Sequence, residues 1–118
     1  MRENILVDLS KNFAVEMINL CGEIKKNEKA QILVGQLLRS GTSIGANIHE
    51  GNYAASKADF INKFQIALKE CYETDYWLEI FKDAKIIDEK THNDFRTKCG
   101  KLRKILITSI KTAKASIK

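Results

Sequence analysis

The chain reads as an all-α protein, an antiparallel up-down-up-down four-helix bundle, and three observations carry that reading. Apolar residues recur at three- and four-residue steps through four long segments. No proline occurs in 118 residues, so nothing breaks a helix interior or stiffens a turn. The segments are separated by only a few residues, which forces consecutive helices to run antiparallel. No strand pattern, repeat or low-complexity segment competes, and the length suits a single domain over residues 1–118.

The first helix is expected from Asn4 to about Lys26, with Leu6, Leu9, Phe13, Met17, Leu20 and Ile24 on its apolar side. Asn27 is placed to end it in a left-handed cap. The second runs from about Lys29 to His49, with Gly51 as its stop. Leu33, Leu37, Gly41, Ile44 and Ile48 fall on one side of it, and Arg39, Ser43, Asn47 and Glu50 form a polar stripe beside them. Gly41 and Gly45 each cost a helix about 1 kcal/mol against alanine, so a close approach of another element is expected there. Ser56 to Asp59 reads as a capping box opening a third helix from Lys57 to about Asp83. Asp88 is the N-cap of the last helix, whose Phe95, Cys99, Leu102, Leu106, Ile110, Ala113 and Ile117 keep the period to the C-terminus.

Helix three is apolar over a wide arc. Phe60, Phe64, Cys71 and Leu78 define one line, with Ile61 and Leu68 to one side and Phe81, Trp77 and Ile66 to the other. A bundle helix needs a stripe little wider than about 100°, so either part of this arc meets another subunit or the helix is buried deeply between its neighbours. Glu70 sits inside the arc, where an unpaired carboxylate is costly. Arg39 is its expected partner, with Glu73 and Glu50 as competitors, because a guanidinium fork binds carboxylates in two places. A dry Arg39–Glu70 pair predicts a loss of about 3–5 kcal/mol in Arg39→Ala, and an exposed pair less than about 1 kcal/mol.

Cys21, Cys71 and Cys99 are far apart and form no CxxC pair, which points to buried, reduced thiols. His49 and His92 are isolated, so no metal ligand set is expected, and no cofactor. No nucleophile, phosphate loop or metal cluster accompanies the carboxylates, and the chain is not expected to be an enzyme. No apolar run approaches the roughly 20 residues that cross a bilayer. The N-terminus lacks the pattern of a signal peptide, so the expected location is the cytoplasm, without membrane contact.

The formal net charge is +5 and it is concentrated. After Asp94 there is no acidic residue, and Arg96, Arg103, Lys104, Lys111, Lys114 and Lys118 fall within about 100° of one another on the last helix, beside its apolar face. A ridge of this kind neutralises phosphates without reading bases; the alternative is a solvated surface. No RNA-recognition motif, zinc finger or stacking-aromatic platform is evident.

Gln36-Leu37-Leu38-Arg39-Ser40, the run from Ser43 to Gly51 (SIGANIHEG), Phe60, Ile66-Ala67-Leu68, Glu70, Glu73 and Trp77-Leu78 together resemble a known family. These are the small four-helix-bundle proteins encoded in intervening sequences of bacterial 23S ribosomal RNA genes. The resemblance spans nearly the whole chain and implies an all-helical protomer that assembles as a pentameric ring. It also implies a more distant relation to the accessory variability protein of diversity-generating retroelements, a basic pentameric barrel that binds nucleic acid. It implies a structural role for the motif residues and supplies no catalytic residue.

The leading expectation is a non-enzymatic, homo-oligomeric nucleic-acid-binding or accessory protein, pentameric, taking RNA or DNA without sequence selectivity, with RNA favoured. The alternative is a homo-oligomeric protein-interaction module whose lysines only solubilise it. A small hydrolase using His49, Glu50 and Glu70 ranks last.

Overall fold

The computed structural model describes the backbone of residues 2–116 and the side chains of residues 5–116. Four helices, α1 (Arg2–Ile24), α2 (Val34–Asn52), α3 (Lys57–Asp83) and α4 (Glu89–Ala115), account for most of it, with a 3₁₀ turn over Glu28–Ala30. No strand occurs among the described residues. Ile117 and Lys118, assigned above to the last helix and to its basic ridge, lie outside them.

Pairwise contacts fix the direction of each helix. Ser10 faces Gly45, Met17 faces Gly41 and Cys21 Sγ reaches the Val34 carbonyl, so numbers rise along α1 as they fall along α2. Gly51 meets Phe64, Lys63 pairs with Glu50, and Thr74 bonds Ser40, which makes α2 and α3 antiparallel. Lys57 bonds Ser116 while Cys99 bonds the Cys71 carbonyl, and α3 and α4 follow the same rule. Phe13 against Phe95 closes α1 onto α4. The result is an up-down-up-down bundle measuring 51 × 22 × 19 Å.

The core is the overlap of the four periodic stripes. Leu6, Phe13 and Met17 of α1, Leu37, Ile44 and Ile48 of α2, Phe64, Leu78 and Phe81 of α3, and Cys99, Leu102 and Leu106 of α4 all belong to one buried apolar cluster. The expected close approach at Gly41 and Gly45 is present. A methyl group on Gly41 would lie 2.7 Å from Met17 Cγ, and one on Gly45 3.4 Å from the Ser10 carbonyl oxygen. The wide apolar arc of α3 is largely consumed inside the bundle, because α3 packs on both α2 and α4. Phe64 and Phe81 are fully buried, and Phe60, Leu68 and Trp77 are half-buried on the same core.

Four local expectations are corrected. Asn27 is extended (φ −95°) rather than left-handed, and its side chain accepts from the Lys29 amide to cap the 3₁₀ turn. Helix α2 begins at Val34, not near Lys29, because the chain uses residues 25–33 to reverse before Val34 meets Cys21. Gly51 does not stop α2, which runs on to Asn52. Its missing side chain admits the Phe64 ring, 2.7 Å from where a Cβ would stand. At Ser56 half the capping box forms: Ser56 Oγ accepts from the Asp59 amide at 3.1 Å, but the return bond from the Asp59 carboxylate is absent. Asp88 caps α4 as expected, accepting from the Thr91 amide at 2.7 Å.

Among the described residues, Lys85 alone is left-handed (φ 61°). It lets the chain leave α3 with the Ile86 amide bonded back to the Phe81 carbonyl at 2.8 Å, a helix ending usually served by glycine.

Candidate nucleic-acid interface

Helix α4 is amphipathic because its core residues recur at three- and four-residue steps from Phe95 to Ala113. The cations fall between those steps. Arg96, Lys104, Lys111 and Lys114 are exposed, and none has an acidic group within 4.0 Å among the described residues. With no acid after Asp94 in the sequence, nothing on α4 itself neutralises the last three.

Arg103 differs from the rest of the ridge. Its Nη1 donates to Asp75 Oδ2 at 2.8 Å, and its Cζ lies 5.7 Å from the centre of the Tyr72 ring. Burial pushes the Asp75 carboxyl above its ordinary value against the pull of Arg103. Arg103 is therefore an anchor between α3 and α4 as well as part of the ridge. Lys98 turns away to α1, bonding Glu16 at 2.8 Å and Asp94 at 3.1 Å, and the Glu16 bond raises its ammonium pKa.

The polar cluster forms in part. Arg39 Nη1 donates to Glu70 at 2.9 Å, its Nη2 bonds Glu73, and the Trp77 indole donates to the same Glu73 oxygen at 3.1 Å. Burial alone would raise the Glu73 carboxyl, but the indole and the guanidinium hold it below its ordinary value. Arg39 in turn is raised, first by its bond to Glu73. The site is not dry: the Arg39 side chain is 47% exposed while that of Glu70 is 11% exposed. Ser43 and Asn47 do not join it. Ser43 Oγ donates to the Arg39 carbonyl and Asn47 Nδ2 to the Ser43 carbonyl, both within α2. Glu50 pairs with Lys63 at 3.1 Å instead of Arg39.

His49, Glu50 and Glu70 do not converge. Glu70 is held by Arg39, eleven residues from Glu50 and so about 16 Å along α2, and His49 lies against Tyr53. The three thiols are buried and free. Burial pushes Cys21 up to about 11, and a hydrogen bond with Cys71 together with burial pushes Cys99 well above the ordinary thiol range. No group of three or more His, Cys, Asp or Glu able to hold a metal ion occurs among the described residues, and none of their helices is long and apolar enough to cross a membrane.

The model of the 23S rRNA-intervening sequence proteins matches residues 2–108. The chain belongs to that family. Its fold is also similar to a crystal structure of a protein of unknown function from the S23 ribosomal protein family of Bacteroides thetaiotaomicron. The two are 43% identical, with a TM-score of 0.91, covering 94% of this chain and 99% of the other. No curated protein matches the chain. The family match includes Arg39, Glu70, Glu73, Arg96, Arg103 and Lys104, and ends before Lys111 and Lys114.

Two features escaped the sequence reading. Ser40 and Thr74 form a buried hydroxyl pair at 3.0 Å between α2 and α3. Both sit in core register, Ser40 between Leu37 and Ile44 and Thr74 between Cys71 and Leu78, and that was their signal. The Asp75–Arg103 pair joins two helices, and no local spacing announces it.

Proposed function

We propose that this protein is a non-enzymatic, homo-oligomeric nucleic-acid-binding accessory protein of the cytoplasm, and that α4 is its contact surface. The observation that carries the reading is the row of Arg96, Lys104, Lys111 and Lys114, exposed and without acidic partners among the described residues. Cations in this state keep their full attraction for phosphates, and each phosphate they neutralise releases condensed counterions. A ridge presented by a straight helix follows a backbone and ignores base edges, so binding is tight but unselective. The family's description, a 23S rRNA-intervening sequence protein, favours RNA. In the pentameric ring that the resemblance implies, each protomer repeats the ridge, and weak single sites add along one strand.

Because Arg103 anchors Asp75, the charge reversal that tests the ridge belongs elsewhere. Lys104→Glu, Lys111→Glu and Lys114→Glu together are expected to abolish binding of a short oligoribonucleotide at low salt with helicity and oligomer size unchanged. Equal binding by parent and triple variant contradicts the proposal.

A second reading is favoured by Tyr72 and Tyr76, 55% and 58% exposed on α3, and by Val15 and Ile18 on α1. Exposed aromatic and aliphatic groups suit a protein-interaction module. Failure of the parent to bind RNA or DNA at low salt selects it.

A further inference from the structure

Within the ridge, α4 carries a shallow notch of about 440 Å³ over Gly100. Arg96, Arg103 and Lys104 stand four, three and four residues from Gly100, so all three are its neighbours on the helix surface. A glycine in mid-helix costs about 1 kcal/mol against alanine. Packing does not require this one, since a methyl group there would meet only Arg103 Nη2, at an ordinary 3.5 Å. The contrast is Gly51, where the Phe64 ring fills the space. What the missing side chain does provide is access: an anion can approach the helix backbone between three cations.

Arg103 is oriented for such a ligand. Asp75 fixes Nη1 at 2.8 Å, which leaves Nη2 directed at the notch. An arginine held this way loses little conformational freedom on binding. The same guanidinium lies against Tyr72, so the notch and that ring share one side chain. Tyr72 remains 55% exposed beside Arg103. Aromatic rings adjoining a basic groove are the usual means of holding unpaired bases.

We infer that the notch and Tyr72 form a single-strand subsite, which deepens the ridge reading and rests on it. One backbone phosphate sits over Gly100 among Arg96, Arg103 and Lys104, and the adjoining base stacks on Tyr72. A duplex keeps its bases paired and stacked, so it gains the phosphate contact without the ring. The subsite thus gives the ridge a preference for single strands, which charge alone does not supply.

The test is binding of oligouridylate and of an RNA duplex of equal length, measured by fluorescence anisotropy across a salt series. Gly100→Leu fills the notch without changing charge and is expected to weaken single-strand binding about tenfold, with the log–log salt slope shallower by about 0.7. Tyr72→Ala is expected to weaken it by about tenfold, the range of one stacked base, Tyr72→Phe to bind as the parent, and duplex binding to be unaffected by either tyrosine change. Gly22→Leu, an exposed helical glycine on α1 with open space above it, controls for the substitution itself, and circular dichroism confirms that each variant remains folded. If Gly100→Leu and Tyr72→Ala bind oligouridylate as the parent does while the triple lysine reversal abolishes binding, the subsite is overturned and the ridge stands. Equal parental affinity for duplex and single strand, with no effect of Tyr72→Ala, also overturns it. If the parent binds neither probe, subsite and ridge fall together.

Discussion

Arg39 does two jobs at half exposure, holding Glu70 on the edge of the core and Glu73 beside Trp77. Water screens the guanidinium but reaches Glu70 poorly, so the cost of losing it lies between the exposed and the dry limits. Arg39→Ala is expected to destabilise by about 1–2 kcal/mol in urea unfolding, short of the 3–5 kcal/mol of a dry pair. Glu73 adds a pH dependence. Its folded pKa is depressed, so its stabilisation is complete above the unfolded value of about 4.3 and is lost as pH falls through the lower folded value. Thermal unfolding should therefore show the parent losing more stability than Glu73→Gln as pH falls below about 4. The thiols invite a kinetic check. Cys71 and Cys99 are fully buried, Cys21 is nearly so, and Cys21 titrates only at about 11. Reaction with a thiol reagent at neutral pH should proceed at the rate of unfolding, and rapid labelling of any cysteine in the folded protein contradicts the packing described.

At the scale of elements, the helices and two of their N-caps were legible because they are local: periodicity, Ser56 and Asp88 act within a few residues. Boundaries set by another helix were not. The start of α2 depends on Cys21 meeting Val34, and the role of Gly51 depends on Phe64, thirteen residues on. The candidate site divides the same way. The ridge on α4 follows from spacing along one helix, while the Asp75 anchor of Arg103, the diversion of Glu50 to Lys63, and the proximity of Tyr72 are tertiary facts. Two substitutions test the element boundaries. Gly51→Ala improves helix propensity yet drives a methyl into a buried ring, and a net loss of about 1–3 kcal/mol is expected. Lys85→Gly relieves a left-handed backbone at the end of α3, and a gain of up to about 1 kcal/mol is expected after the extra unfolded-state entropy of glycine is counted. Both read out as shifts in the urea midpoint; the opposite sign in either case contradicts the local geometry.

For the whole molecule, the proposed function joins charge to assembly. The apolar arc of α3 is mostly spent on the internal core, so the proposed ring would draw on what remains outside, such as Tyr76 of α3 and Val15 and Ile18 of α1. Light scattering at micromolar concentration is expected to report a pentamer, and a monomer would contradict the avidity that the proposal invokes. In the proposed function, α4 holds a nucleic-acid backbone through exposed cations. Its most direct test is the affinity of the intact protein for a single-stranded oligoribonucleotide measured against salt concentration. A straight log–log decline is expected, with a slope of about −0.7 for each phosphate engaged, lost in the Lys104, Lys111 and Lys114 reversal. An affinity that does not change with salt, or a slope that the triple reversal leaves intact, contradicts it.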